Sequence, residues 1–140
     1  MHPWVDRAFG GVVVLTAAGF TYVLLRATPD PSGINTHVQL GMQPCGWPAA
    51  YGIPCPTCGV TTSASLLVHG RVLDALVNQP FGALAAAGGL AMGVWCAWCL
   101  LRGRSILGEV AMWPLWRGSF VALLLLLASW LYKYMVFRAR

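Results

Sequence analysis

Three long stretches of the chain are almost free of charged residues, and a polar stretch separates the first two. The apolar stretches cover about residues 8–26, 80–101 and 118–137. Each has about 20 residues, which at a rise of about 1.5 Å per residue is enough to cross the hydrocarbon core of a bilayer. The pattern predicts an all-α membrane protein with three transmembrane helices, forming a single membrane domain over residues 1–140.

The connection between the first two apolar stretches, residues 27–79, has a different pattern. Proline and glycine recur in it up to Gly59 and interrupt any long regular element. From Val60 to Val77 the pattern is helical, with a pause at Gly70, and places leucines and valines on one side. The polar side of this segment carries Ser63, Arg71, Asp74 and Asn78. We expect a connection rich in Cys, Pro and Gly that is partly helical and lies at the membrane interface.

Composition supports a lipid environment and excludes a nucleic-acid partner. The chain is 58% hydrophobic and 9% charged, whereas soluble domains have about a quarter of charged residues. Lysine and arginine exceed aspartate and glutamate by 9 to 4, but they lie mainly at the ends of the apolar stretches, where they anchor at lipid headgroups. Lys133, near the end of the third stretch, is expected to extend toward those headgroups.

The connection contains a candidate metal site. Cys55-Pro-Thr-Cys58-Gly places two thiols two residues apart, a spacing that allows both to bind one tetrahedral metal ion. Cys45 and His69 complete a possible Cys3His set, for which zinc is the candidate ion. His69 would lie about two turns, or about 12 Å, along the following helix, so its participation requires the chain to fold back, and His37 is the substitute.

A disulfide formed with Cys45 could staple the connection in place of a metal ion, and two other interpretations of the same cysteines remain open. A C-x-x-C dithiol at the start of a helix has the features of a redox site, because the helix dipole stabilises a thiolate. No βαβ pattern surrounds the motif, so a thioredoxin fold is not predicted. The remaining possibility is that cysteine, proline and glycine only shape a turn, with the sulfurs packed as small apolar groups.

The second apolar stretch carries two further features. Cys96 and Cys99 lie three residues apart, so they share a helix face and are expected at a helix–helix contact. Ala85, Gly89 and Gly93 form a ladder of small residues at four-residue spacing, which lets another helix approach closely. The ladder and the connection are the predicted contacts with a membrane-protein partner.

Several of these motifs together resemble a known family. Cys45, the run GIPCPTCGVTT from Gly52, the step His69-Gly70-Arg71, Ala75 and the run QPF from Gln79 occur in the order typical of the domain-of-unknown-function family numbered 2752. The resemblance implies a small, multi-pass protein of the bacterial inner (cytoplasmic) membrane with a cysteine-rich polar connection, and it implies no known activity. Many members carry arginine where this chain has Thr62 and alanine where it has Ser63.

The function class indicated by these features is a non-catalytic accessory or assembly subunit of a larger membrane complex. A connection of this length is too long for a passive loop, and three cysteines would staple it into a surface platform. The alternative hypothesis is a membrane thiol–disulfide oxidoreductase that uses Cys55 and Cys58.

Overall fold

The computed structural model describes residues 3–138, and this part of the chain is helical without any β-strand. It therefore confirms the predicted all-α class. A 3-10 helix occupies Thr36–Leu40. The α-helices are α1 Pro3–Arg26, α2 Gly46–Tyr51, α3 Val60–Val68, α4 Val72–Asn78, α5 Pro80–Arg102, α6 Ile106–Val110 and α7 Leu115–Arg138.

Three of these helices, α1, α5 and α7, are long and apolar enough to cross a membrane. Helix α1 begins before the predicted boundary at residue 8 and includes Asp6. The Asp6 carboxylate accepts hydrogen bonds from the backbone N–H groups of Ile106 and Leu107, at 3.1 and 2.8 Å. It thus satisfies two free N–H groups in the first turn of α6, which allows a charged residue to lie inside the first long helix.

Helix α5 is delimited by ordinary capping residues. The Gln79 side chain accepts a hydrogen bond from Gly82 N–H, and Pro80, which has no N–H to satisfy, occupies the first turn. At the other end Gly103 adopts a left-handed conformation with φ +65°, which terminates the helix. These signals explain why the observed bounds lie within one residue of those predicted, 80–101.

Helices α1 and α5 pack side by side at close range. A Cβ atom added at Gly93 would lie 2.6 Å from Ala17 Cβ, so this glycine permits the close approach of the two helices. One turn further along, Cys96 and Cys99 are fully buried in a cluster with Ile106 that includes Val13 of α1. The helix–helix contact predicted for these two cysteines is therefore confirmed.

Helix α7 packs against α5 near the start of that helix. Ser129 and Lys133 are its buried residues, whereas the side chains from Leu115 to Leu125 are exposed along the whole segment. At its packed end the Ser129 hydroxyl accepts a hydrogen bond from Phe81 N–H at 3.2 Å. The first half of the third long helix consequently buries no side chain within the described part of the chain.

Residues 27–79, which we call the platform, fold over the ends of the long helices. Helix α3 packs against both α1 and α5, and α4 packs against α3 and α5. The predicted pause at Gly70 is confirmed: Gly70 has φ +78° and separates α3 from α4. The platform is therefore ordered and partly helical, as the sequence indicates.

The polarity of the platform helices differs from the expected one. Ser63, assigned to the polar side, is fully buried, while Leu73 and Val77, assigned to the apolar side, are 78% and 67% exposed. Two conditions explain this. The buried hydroxyl has a hydrogen-bond partner, since it accepts from the Asn78 amide at 2.9 Å. Exposed apolar side chains are favourable where the surroundings are lipid instead of water.

Candidate thiol site

The motif Cys55-Pro-Thr-Cys58 forms a tight turn directly before α3. Cys58 N–H donates to the Cys55 carbonyl oxygen at 3.0 Å, and Cys55 N–H donates to Cys58 Sγ at 3.1 Å. Gly59 follows with φ +92°, and α3 begins at Val60. The motif therefore positions both sulfurs on the same side of the turn, just ahead of the helix.

Gly59 is required by both conformation and space. Its φ lies in the left-handed region, which costs a residue with a side chain about 1–2 kcal/mol. A Cβ atom at this position would also lie 2.7 Å from the Gly33 carbonyl oxygen and 3.2 Å from the Lys133 ammonium nitrogen. The glycine of the motif is therefore explained by the close packing of the turn against residue 33.

The segment Pro54–Gly59, which we call the cysteine turn, is held by hydrogen bonds to three of its carbonyl groups. Trp130 Nε1 donates to Pro54 O at 2.9 Å. The side-chain amides of Gln79 and Asn78 donate to Pro56 O and Gly59 O, at 3.4 and 3.2 Å. Side chains from α4, from the start of α5 and from α7 thus fix the backbone that carries the thiols.

Cys45 approaches the cysteine turn from the residue that precedes α2. Its Sγ lies 3.6 Å from both Cys55 Sγ and Cys58 Sγ, and the latter two are 2.7 Å apart. All three ligand atoms lie within 4.8 Å of one another, close enough to hold a metal ion together. Cys58 is buried, and Cys45 and Cys55 are half-buried.

These distances can be compared with those of a zinc site and of a disulfide. Zinc–sulfur bonds of about 2.3 Å place tetrahedral thiolates about 3.8 Å apart. The two distances from Cys45, each 3.6 Å, agree with this edge length. The 2.7 Å between Cys55 and Cys58 would have to lengthen by about 1 Å for zinc, or shorten by about 0.7 Å for a sulfur–sulfur bond. A movement of about 1 Å or less in the turn would therefore be enough for zinc binding or for a sulfur–sulfur bond between Cys55 and Cys58.

The two thiols of the cysteine turn differ in acidity. Burial opposes ionisation of Cys55, but hydrogen bonds to its sulfur from the Cys58 thiol, the Thr57 hydroxyl and the Cys45 thiol lower its pKa below the ordinary value. Burial, together with the hydrogen bond to Cys55, raises the pKa of Cys58. Cys55 is therefore the thiol that ionises first.

His69 lies apart from this group of three cysteines. It follows the last residue of α3 and is exposed, and its Nδ1 lies 2.7 Å from the Ser65 carbonyl oxygen. The described residues whose ligand atoms converge are Cys45, Cys55 and Cys58, without His69 or His37. Ligation by His69 stays a prediction that this geometry does not support, because α3 continues straight away from the turn.

A group of buried hydroxyl residues supports the platform, and the sequence patterns did not identify it. Thr36 donates to the Thr62 hydroxyl at 2.9 Å, which connects the 3-10 helix to α3. Ser65 donates to the Ala27 carbonyl oxygen at 2.8 Å, just past the end of α1. These hydroxyls are fully buried. The run TTSAS at residues 61–65 was the available signal, because small hydroxyl residues let helices approach and bond across the contact.

Lys133 corrects another expectation. Instead of extending to lipid headgroups, its side chain points inward, and the residue is 9% exposed. Its ammonium group donates to the Asn78 carbonyl oxygen at 3.0 Å, to Asn78 Oδ1 at 2.8 Å and to the Gly33 carbonyl oxygen at 3.4 Å. Carbonyl and amide oxygens of the platform replace the water that the ammonium would otherwise bind, which makes the inward orientation favourable.

Fold and site together define a multi-pass helical membrane protein with a group of three cysteines at the end of its helix bundle. Residues 45–93, about a third of the chain, match the family described as "Protein of unknown function (DUF2752)", which confirms the resemblance noted from the motifs. Comparison with curated proteins and with solved structures gave no match. The family region includes all three cysteines and ends within α5, at the glycine that contacts α1.

Proposed function

We propose that this protein is a non-catalytic accessory or assembly subunit of a complex in the bacterial inner membrane, with a platform stapled by a zinc ion. Cys45, Cys55 and Cys58 are the proposed ligands. The observation that carries this proposal is the convergence of their three sulfur atoms within 4.8 Å. Thiolates favour soft or borderline ions such as zinc over magnesium or calcium.

The surroundings of α2 support a structural role for the staple. Helix α2 has no buried residue, and its aromatic side chains Trp47 and Tyr51 are 43% and 68% exposed. Packing therefore contributes little to its position, whereas the cysteine turn is already held by side chains from elsewhere. A metal ion bound to Cys45 and to the turn would attach α2 to the rest of the platform.

The chemistry around the sulfurs supports a non-catalytic role. Within the described residues, the groups that hydrogen-bond to the three sulfurs are the other thiols, the Thr57 hydroxyl and the backbone N–H groups of Cys55 and Thr57. A carboxylate or imidazole that could act as a general acid or base is not among them. Three protein thiolates also leave one tetrahedral position for water or for a group from a partner, which suits an assembly subunit.

The proposed contact with a partner helix is narrower than the sequence indicated. Gly93 packs against Ala17 within the chain, so that step of the ladder is already occupied. Gly89 is exposed, and a Cβ atom there would meet nothing within 4 Å. Ala85 and Gly89 line an apolar cavity of about 430 Å³ between α1, α3 and α5. A partner helix would therefore use Ala85 and Gly89.

Metal analysis of the full-length protein purified in detergent tests the staple. We expect about one zinc per chain, lost in Cys55→Ser and in Cys45→Ser. Cys99→Ser is the matched control, because Cys99 is buried in a separate cluster, and it should keep the metal. His69→Ala should also keep it. Protein that carries no metal, and takes up none from a zinc buffer while its thiols are intact, would refute the staple.

The asymmetry between Cys55 and Cys58 favours a second candidate, a membrane thiol–disulfide oxidoreductase. A half-buried thiol with a lowered pKa beside a buried thiol with a raised pKa matches the attacking and resolving roles of a C-x-x-C pair. Under this hypothesis Cys58→Ser should accumulate mixed disulfides at Cys55 in cells. Cys58→Ser chains that remain free thiols in vivo, while the native protein holds zinc, would exclude it.

A further inference from the structure

A second cavity lies on the opposite side of α3 from the apolar cavity that Ala85 and Gly89 line. Its volume is about 410 Å³, and it is bounded by residues 29–34, by α3 and α4, and by the last two turns of α7. Its lining includes four charged residues, Asp30, Arg71, Asp74 and Lys133, which we call the polar wall, together with apolar residues that include Leu66, Val136 and Phe137. The cavity is therefore amphipathic.

The charges on the polar wall balance. Asp30 and Asp74 are carboxylates, and Arg71 and Lys133 are cations. Arg71 Nε is paired with Asp74 at 2.7 Å, which leaves its two terminal nitrogens available for another acceptor. The Lys133 ammonium group donates its hydrogen bonds to Gly33 and Asn78. It would therefore attract a ligand in the cavity through its positive charge more than through a direct hydrogen bond. A ligand carrying one negative and one positive group matches this wall.

The cavity lies near helix ends that carry residues typical of a membrane interface. It opens beside the end of α7, where the Arg138 guanidinium lies 5.2 Å from the centre of the Tyr134 ring. At the adjacent end of α1, Arg26 lies 5.1 Å from the centre of the Tyr22 ring. Tyrosine and arginine at helix ends mark the boundary between lipid and water. An amphipathic cavity at this boundary is accessible to a phospholipid from the bilayer.

We propose that this cavity binds the headgroup of a zwitterionic phospholipid with a primary ammonium group. The phosphate lies against Arg71 and near the positive charge of Lys133, and the ammonium lies against Asp30. Asp30 is suited to this role because hydrogen bonds from the Ser32 hydroxyl and the Ser32 N–H lower its pKa, so it stays ionised. Val136 and Phe137 cover the first part of the acyl chains.

Lipid binding to the full-length protein in detergent tests the proposal. Native mass spectrometry would be run with short-chain phosphatidylethanolamine, phosphatidylcholine and phosphatidylglycerol in turn, and with free O-phosphoethanolamine. We expect phosphatidylethanolamine to bind at least about tenfold more tightly than the other two lipids and than the free headgroup. Tightest binding of phosphatidylglycerol, equal binding of phosphatidylcholine, or equal binding of free O-phosphoethanolamine would overturn it.

Variants of residues in the polar wall test whether the lipid binds in this cavity. Asp30→Asn and Arg71→Gln change partly or fully exposed side chains, so both proteins should fold, and each should weaken phosphatidylethanolamine binding about tenfold. Arg117→Gln is the matched control, since Arg117 is an exposed interfacial arginine outside this cavity, and it should bind like the native protein. Unchanged binding in Asp30→Asn and Arg71→Gln would show that the lipid binds elsewhere.

Discussion

The chain contains two pairs of cysteines with the same spacing and opposite surroundings. Cys55 and Cys58 lie in a turn, with their sulfur atoms 2.7 Å apart and a third thiol 3.6 Å from each. Cys96 and Cys99 lie one turn apart on α5 and are fully buried against apolar side chains of α1 and α6. Spacing alone therefore does not decide the role of such a pair. The backbone between the two cysteines does, because a turn brings the sulfurs together and a helix embeds them in a packing face.

The largest expected difference between the pairs is in chemical reactivity. In metal-free protein, N-ethylmaleimide should label Cys55 at least about 100-fold faster than Cys96 or Cys99, because the attacking species is the thiolate and access is required. Because the pKa of Cys55 is lowered by hydrogen bonds to its sulfur and the pKa of Cys58 is raised by burial, labelling of Cys55 should reach half its maximum at a lower pH than labelling of Cys58. Site-resolved mass spectrometry measures these rates.

Unfolding in sodium dodecyl sulfate is the control for this comparison, and it should make all five cysteines react at similar rates. If Cys96 labels as fast as Cys55 in the folded protein, the second pair is accessible and the contrast between the two surroundings is wrong.

The glycine that follows Cys58 gives the next largest effect. Gly59→Ala should destabilise the protein by about 3 kcal/mol, from the left-handed conformation and from overpacking against the Gly33 carbonyl oxygen. Gly52→Ala is the control, since Gly52 has φ +66° but open space, and it should cost about 1 kcal/mol. Equilibrium unfolding in mixed detergent measures both. Equal losses would mean that close packing at Gly59 contributes nothing.

A glycine near the buried pair tests the packing of α5 on α1. Gly93→Ala should cost about 2 kcal/mol, because its Cβ would lie 2.6 Å from Ala17 Cβ and the helices would have to separate. Gly89→Ala should not destabilise the protein, because an added Cβ would meet nothing within 4 Å and alanine is the better helix former by about 1 kcal/mol. The same detergent titration applies, and a larger loss for Gly89→Ala would contradict the assignment of Gly93 to the internal contact.

The smallest effect is on the support that α7 gives to the cysteine turn. Trp130→Phe removes the hydrogen bond to the Pro54 carbonyl oxygen and should cost about 1 kcal/mol. Trp116→Phe, at an exposed position of the same helix, should have no measurable effect on unfolding. A Trp130→Phe protein as stable as the native one would show that α7 does not support the cysteine turn.

The sequence predicted the architecture well because lipid imposes simple requirements. Nearly uncharged stretches of about 20 residues leave few alternatives to three long helices. For the second of them, Gln79-Pro80 marks the start of the helix and Gly103 marks its end. The proximity of Cys45 to the C-x-x-C pair agrees with its choice as a candidate ligand, since a tetrahedral ion bound by that pair needs further ligands and Cys45 lies in the same connection. The sequence did not predict which side of α3 and α4 is buried. Periodicity distinguishes two sides of a helix, but it does not show whether each side faces protein, lipid or water.

Lys133 and His69 show why the details of the site were harder to predict. Lys133 points inward because Gly33 and Asn78, about 100 and 55 residues earlier, present oxygen atoms to it. His69 points away because α3 continues straight past the cysteine turn for nine residues. Both outcomes depend on partners that are distant in sequence, and a pattern of residue types along one segment contains no information about such partners.

The attachment of α7 has a consequence for biosynthesis. Its hydrogen bonds to the platform come from Trp130, Tyr132 and Lys133, which are made long after the cysteine turn leaves the ribosome. The first two long helices and the platform can therefore assemble in the membrane before the third helix has been made. During that interval the carbonyl groups of Pro54 and Gly33 have not yet met the donors on α7, whereas the three thiols of the platform are already present together.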